Sequence, residues 1–278
     1  MPLEALVNGN FCSSVDVNDR GLAYGDGLFE TIKITQGHPE FLSLHIERLQ
    51  LGCSRLGISF CLQTIKHDIE KILPTVTKET AVLKIIITRK FTGRGYKPDS
   101  QAGFNRILTV ELLTNDYAIE QSQGIAVRLC DTRLGVNPQL AGIKHLSRLE
   151  NVLARGEWSD TGIAEGLMLD TDGRLVEGTM SNIFVVKDKV LLTPSLYRCG
   201  VNGVIRQVVI NQLAQQLALS CQVADLTIDD IYHSQEVFIC NSLMGLIPVV
   251  AIGCHAKSVG YITQSLQQAL LRESEVHD

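Results

Sequence analysis

Residues 81–88 limit the fold more than any other stretch: the run is almost wholly apolar and rich in isoleucine. A β-branched run of that length reads as a strand covered on both faces, so the chain must supply layers to pack against it. Helical stripes stand on its amino-terminal side. Leu42, Ile46, Leu49, Cys53 and Leu56 recur at helical spacing, with Ser43 as the expected N-cap of a helix over 43–56. Leu62, Ile65, Ile69 and Ile72 form a second stripe that stops near Pro74. Further strands are expected at 3–7, closed by Asn8-Gly9, at 27–35 before the turn Gln36-Gly37, and at 106–113. Residues 114–124 are polar and aperiodic, which marks them as a linker. Beyond it strands are read at 125–130, 183–186, 191–194 and 236–240, with a hairpin of 166–170 and 174–177 around Thr171-Asp172-Gly173. One helix opens after Gly203 with Val204, Val208, Leu213 and Leu217 inward. Another runs from about Ile262 with Leu266, Leu270 and Leu271 inward. The expectation is two α/β domains, a small one over 1–113 and a larger one over 125–278.

The chain has 278 residues, enough for about two domains with their own cores. It is 45% hydrophobic and 20% charged, which is ordinary for a globular protein. A formal charge of -5 without a basic tract argues against a nucleic-acid surface. The eight cysteines include no C-x-x-C pair and fall mostly in apolar runs, which argues against zinc and against a secreted disulfide framework. No basic segment followed by an apolar run opens the chain, and no apolar stretch is long enough for a bilayer. A cytoplasmic protein without a metal site is expected.

Several residues carry possible chemistry. Lys144 follows the small run Ala141-Gly142-Ile143. Leu146, Leu149, Val152 and Leu153 then recur at helical spacing, which places the lysine near the mouth of a helix and the start of apolar packing. A lysine there is either solvated or, once desolvated, a nucleophilic amine. His45 and Arg48, three apart, share a helical face. The segment 89–98 brings four cations, two glycines and Tyr96 together in a loop that suits a small dianion or is simply solvated. Three glycines within 21–27 point to tight turns or close approach, without the spacing of a phosphate loop. Glu177 ends a strand beside Gly178, placed either to face a cleft or to lie in an exposed turn. Asn202-Gly203 at a helix start leaves backbone N–H groups for an anion, and the Ser242 hydroxyl could reach one too.

Together these match the needs of pyridoxal 5'-phosphate: a lysine for its aldehyde, a carboxylate for its ring nitrogen and an anion site for its phosphate. The chain resembles the fold-type IV pyridoxal-phosphate enzymes, the group with D-amino acid aminotransferase-like architecture, over essentially its whole length. The motifs that carry the resemblance are Arg133-Leu134-Gly135, Asn137-Pro138, the run 140–146, Arg148-Leu149-Glu150, Gly93-Arg94-Gly95-Tyr96, Gly25-Asp26-Gly27, and His45 with Arg48-Leu49. Within the family they are most similar to the lyase branch, which converts 4-amino-4-deoxychorismate to 4-aminobenzoate and pyruvate. The resemblance implies an α/β (α+β), two-domain, homodimeric enzyme with the cofactor between its domains. It implies that Lys144 holds the cofactor and moves protons, that Glu177 pairs with the ring nitrogen, and that Arg48, Gly203, Val204, Ile205 and Ser242 form the phosphate cup. Tyr24, Arg94 and Tyr96 become substrate-binding residues, and the leaving group takes its proton from Lys144 or from a nearby hydroxyl, for which Thr31 is the candidate. An aminotransferase of the D-amino acid or branched-chain type needs the same lysine, glutamate and phosphate cup, and is the rival reading. A binding protein that kept the fold without the cofactor is the other.

Overall fold

A computed structural model describes residues 4–76, 79–99 and 102–276. The chain divides into two units, one of 4–115 with 143–147 and the other of 116–142 with 148–276.

In the first unit, Asn8 and Gly9 both take positive φ and close a hairpin of β1 (Glu4–Val7) and β2 (Asn10–Phe11). Leu3, read as that strand's first residue, lies outside the described residues. Next come α1 (Arg20–Tyr24), β3 (Gly27–Thr35), β4 (His38–Pro39), α2 (Leu42–Leu56), α3 (Leu62–Ile72), β5 (Ala81–Arg89) and β6 (Phe104–Leu112). Gln36 and Gly37, again at positive φ, make the β3–β4 turn. The strands pair in the order β2-β1-β6-β5-β3-β4, antiparallel throughout. That corrects one expectation. In β5, Leu83, Ile85 and Ile87 are buried, whereas Val82 and Ile86 are half-buried and Lys84 is exposed. The run is one covered face plus a thinly covered one, as antiparallel sheets allow. Ser43 is not the N-cap of α2 either. The helix starts at Leu42 behind Phe41, a buried ring at φ 51 with no side-chain cap.

The second unit holds α4 (Ala118–Gln123), β7 (Ile125–Leu134), α5 (Leu149–Arg155), β8 (Glu165–Asp170), β9 (Leu175–Gly178), β10 (Asn182–Lys187) and β11 (Val190–Pro194). It continues through α6 (Val204–Val208), a π-turn (Val209–Leu213), α7 (Ala214–Gln216), β12 (Ser220–Ala224) and α8 (Ile228–Tyr232). It closes with β13 (Glu236–Asn241), β14 (Gly245–Ile252), β15 (His255–Ala256) and α9 (Tyr261–Val276). Its mixed sheet runs β12-β11-β10-β13-β14-β7-β8-β9, with β15 added to β14. Ile183, Val185, Ile239, Ile247 and Val249 fill the core on it.

Two helical stripes depart from expectation. In α5, Leu149, Val152 and Leu153 are 76%, 64% and 65% exposed, and Ala154 is the buried residue. Leu146 does not join the stripe: it precedes the helix, and its N–H is bonded to the Gly27 carbonyl at 3.0 Å. In α9, Leu266 and Leu270 are buried but Leu271 is exposed.

Candidate functional site

In the first unit, residues 143–147 lie beside the start of β3. Leu28 and His145 form an antiparallel bridge, and the Phe29 N–H donates to the Lys144 carbonyl at 2.9 Å. Lys144 is therefore opposite Phe29 and on its face of the sheet, with Nζ 4.3 Å from the ring centroid. It stands on a strand-like arm rather than at a helix mouth, since α5 begins only at Leu149. Thr31, two residues beyond Phe29, points to that same face by strand alternation.

The opposite face of β3 holds a buried ionic cluster. Glu30 is 1% exposed and accepts from Arg48 Nε at 2.8 Å, from Arg48 Nη2, and from His45 Nδ1 at 2.6 Å. The three-residue spacing on α2 brings both bases to one carboxylate. Burial alone would raise the Glu30 carboxyl. The charge of Arg48, with the hydrogen bonds from His45 and Arg48, outweighs it and holds the value at about 2. His45 is pushed below its ordinary value by burial, against the pull of Glu30, and the charge of Lys144 adds to the push. It is thus neutral, with its proton on Nδ1. Glu30 was missed in the sequence, although it shares the apolar side of the strand with Leu28, Ile32 and Ile34.

The segment at 19–27 is organised by two carboxylates. Asp19 caps α1 by accepting from the N–H groups of Gly21 and Leu22. Asp26 binds Arg20 Nε at 2.8 Å and Arg89 Nε at 2.9 Å. Burial pushes the Asp26 carboxyl up, but these arginines bring it below the usual range. Arg20 also donates to the carbonyls of Gly95 and Tyr96 at 2.9 and 3.1 Å, and the Tyr24 and Tyr96 rings meet edge to face at 5.3 Å. The structure thus brings Tyr24 together with the 93–96 loop. Arg94 and Tyr96 are exposed on that loop.

In the second unit, Glu177 is buried near the end of β9, and its Oε2 accepts from the Val201 N–H at 2.8 Å. The segment 200–202 also pairs with Gly142, whose N–H donates to the Gly200 carbonyl at 2.8 Å and whose carbonyl accepts from the Asn202 N–H at 3.0 Å. Lys144 follows Gly142 by two residues. Gly200 sits at φ 87. A Cβ there would come within 2.7 Å of Val176 and 3.3 Å of Glu177 Oε2, so a side chain would crowd the acid.

Helix α6 starts at Val204 with Gly203 as N-cap and no side-chain cap. Val204 and Ile205 are buried, and a buried, uncapped helix start suits an oxyanion. Ser242 lies half-buried in the turn from β13 to β14, where Asn241 Oδ1 accepts from the N–H groups of Leu243 and Met244 at 2.9 Å. A buried carboxylate for a ring cation and an open helix start for a phosphate are the donor set that pyridoxal 5'-phosphate requires.

The turn after Glu177 is built on a residue missed in the sequence. Buried Glu165 accepts from the N–H groups of Gly166, Thr179 and Met180 and from the hydroxyls of Thr179 and Ser181. No local pattern marked it, because its partners are 14 to 16 residues away apart from Gly166.

The family described as amino-transferase class IV matches residues 27–252. A protein of Vibrio harveyi named aminodeoxychorismate lyase is 37% identical over 270 residues, covering 94% of this chain and 97% of its own. The crystal structure of 4-amino-4-deoxychorismate lyase from Pseudomonas aeruginosa superposes with a TM-score of 0.92 at 41% identity, covering 96% and 98% of the two chains. A protein of Methanocaldococcus jannaschii that carries the provisional name of branched-chain-amino-acid aminotransferase is 32% identical over 277 residues, covering 96% and 94%.

Proposed function

The chain belongs to the amino-transferase class IV family, and from that premise we propose that it is a pyridoxal 5'-phosphate-dependent lyase that splits 4-amino-4-deoxychorismate into 4-aminobenzoate and pyruvate. The lyases of Vibrio harveyi and Pseudomonas aeruginosa support the substrate, at 37% and 41% identity over nearly the whole chain. One structural observation carries the reading. Buried Glu177 accepts from the Val201 N–H, and Val201 leads directly through Asn202 into the uncapped start of α6 at Gly203, so an acid for the ring nitrogen and a helix start for the phosphate stand on one short framework.

When bound, the cofactor supplies an electron sink for the carbon that loses its proton. The chain's residues do the rest. Lys144 would hold the cofactor aldehyde, and its amine would remove the proton at C4 of the substrate. Glu177 keeps the ring nitrogen protonated. Arg48, the N–H groups of Val204 and Ile205 and the Ser242 hydroxyl would hold the phosphate, with Gly203 as the N-cap of that helix start. Thr31, on the face of Lys144, gives a proton to the departing enolpyruvyl oxygen, and the ring left behind becomes aromatic. Tyr24, Arg94 and Tyr96 receive the substrate carboxylates on the loop that Arg20 steadies.

The sequence boundaries, a small domain over 1–113, a linker over 114–124 and a cofactor domain over 125–278, are adjusted in two places: 118–123 form α4 within the second unit, and 143–147 go with the first. The enzyme works as a homodimer, for which the outward stripe of Leu149, Val152 and Leu153 is the supporting observation, since apolar patches of that kind are usually covered. It works in the cytoplasm, where its eight free thiols stay reduced. No helix among the described residues is long and apolar enough to cross a membrane.

Borohydride reduction of the cofactor-loaded protein, followed by peptide mapping, should label Lys144. A label on another lysine would overturn the assignment. The unreduced, cofactor-loaded protein should release pyruvate and 4-aminobenzoate in equal amounts from 4-amino-4-deoxychorismate. Amino transfer that depends on a keto acid, without those products, would favour the aminotransferase reading suggested by the Methanocaldococcus relative.

A further inference from the structure

We infer that Asn182 is a positioning residue, whose single side-chain amide sets the spacing between the N–H that holds Glu177 and the helix start at Val204. The inference rests on the reading that Glu177 meets the ring nitrogen and that this helix start meets the phosphate. Asn182 is buried at the first position of β10, a strand paired on both sides by β11 and β13. From that anchored place Nδ2 donates to the Val201 carbonyl at 2.8 Å, and Oδ1 accepts from the Gly203 N–H at 3.0 Å. One amide thus bridges a three-residue segment, donating at one end and accepting at the other. Neither a carboxylate nor an aliphatic side chain can do both. Val201 passes the constraint to Glu177 through its own N–H, and Gly203 passes it to the first turn of α6. Arg206 holds the same segment from the helix by donating to Asn202 Oδ1 at 2.8 Å and to the Pro194 carbonyl at 3.0 Å.

Gly203 provides a second, independent sign. Its φ of -61 and ψ of 148 are open to any residue, so backbone freedom does not call for glycine. Space does: a Cβ at 203 would lie 2.0 Å from Asn182 Oδ1. The glycine is there so that the amide can reach the backbone.

The test compares binding of pyridoxal 5'-phosphate with binding of pyridoxal, which lacks the phosphate, by absorbance titration of parent, Asn182→Ala, Gly203→Ala and the double variant. The parent should prefer the phosphorylated form strongly. Each single variant should lose at least about tenfold of that preference, the scale of one to two net hydrogen bonds. Each should also shift the pH at which the bound chromophore titrates, because the Glu177 end moves with the phosphate end. The double variant should be no worse than Asn182→Ala, since the new methyl meets the space the amide has left. Folded single variants that keep the parent's preference and titration would overturn the inference, as would a double variant whose losses multiply. A lower melting temperature with both readouts unchanged would make Asn182 structural only and would also overturn it. If Asn182→Ala does not fold, Asn182→Ser takes its place, and the serine must relieve the effect of Gly203→Ala. A parent that stays colourless, or does not discriminate between the two forms, would instead count against the underlying cofactor reading.

Discussion

The two units hold their buried carboxylates in different ways. In the first, most acids meet cations: Glu30 with Arg48, half-buried Asp26 with Arg20 and Arg89, Asp68 with Arg106. Buried Asp19 is the exception, held by the N–H groups of Gly21 and Leu22, the Thr88 hydroxyl and the Asn105 amide. In the second, they meet mainly neutral donors. Glu165 gathers three N–H groups and two hydroxyls, and Glu236 binds the N–H groups of Ile262 and Thr263 with the Thr263 hydroxyl. Asp170, which adds Arg198 at 3.2 Å to its backbone donors, stands between the two kinds. Charge in the first unit is mostly cancelled where it stands. In the second it is answered mainly by backbone and hydroxyl dipoles, with the charges of Arg148 and Arg206 acting on Glu177.

The largest expected effect comes from leaving a first-unit acid without its cation. Arg48→Met should cost about 3–5 kcal/mol in denaturant unfolding, because Glu30 is then a buried charge without its guanidinium, and should weaken cofactor retention on gel filtration. A cost below about 1 kcal/mol would erase the contrast. Acid comes next. The Glu30 carboxyl titrates near 4.5 unfolded and about 2 folded, so its stabilisation is complete above 4.5 and is lost as pH falls from there toward 2. His45 has the same sign: its folded value lies below 6.5, so loss begins as pH drops through 6.5. The Glu30 contribution amounts to about 3 kcal/mol, and urea unfolding of Glu30→Gln between pH 7 and 3 should show a flatter profile than the parent.

Glu165→Gln should cost less, about 1–3 kcal/mol, because one acceptor oxygen becomes a donor facing other donors. A loss as large as that of Arg48→Met would blur the distinction between the units. The smallest effect belongs to the partly exposed pair Lys33–Glu40 at 2.9 Å. Lys33→Ala should change stability by less than about 1 kcal/mol, and less again in high salt.

Much of this was legible wherever the signal is local. The strand at 27–35, its Gln36-Gly37 turn and the hairpin around Gly173 follow from alternation and turn residues, and the pairing of His45 with Arg48 follows from helical spacing. Glu30 was visible in principle, since period-two counting puts it among Leu28, Ile32 and Ile34. A lone acid in such a pattern is easily taken for the solvent side. Glu165 and Asn182 offered no such handle, because their partners lie 14 to 21 residues away in sequence, the Gly166 N–H excepted. The stripe on α5 misled for another reason. Periodicity reports that a helix has an apolar side, not that its own chain covers it.

The π-turn at Val209–Leu213 has a consequence of its own. It carries one residue more than an α-turn would need, so Val208, Val209, Leu213 and Ala214 can all point inward while Asn211 bulges into solvent. Excising Asn211 would rewind the segment as ordinary helix and rotate everything downstream by roughly 100°, swinging Leu213 and Ala214 out of their seats. The extra residue works as a slip joint: the front of the helix keeps the phase that sets Arg206 on Asn202 and Pro194, and the rear keeps the phase that buries Leu213 and Ala214.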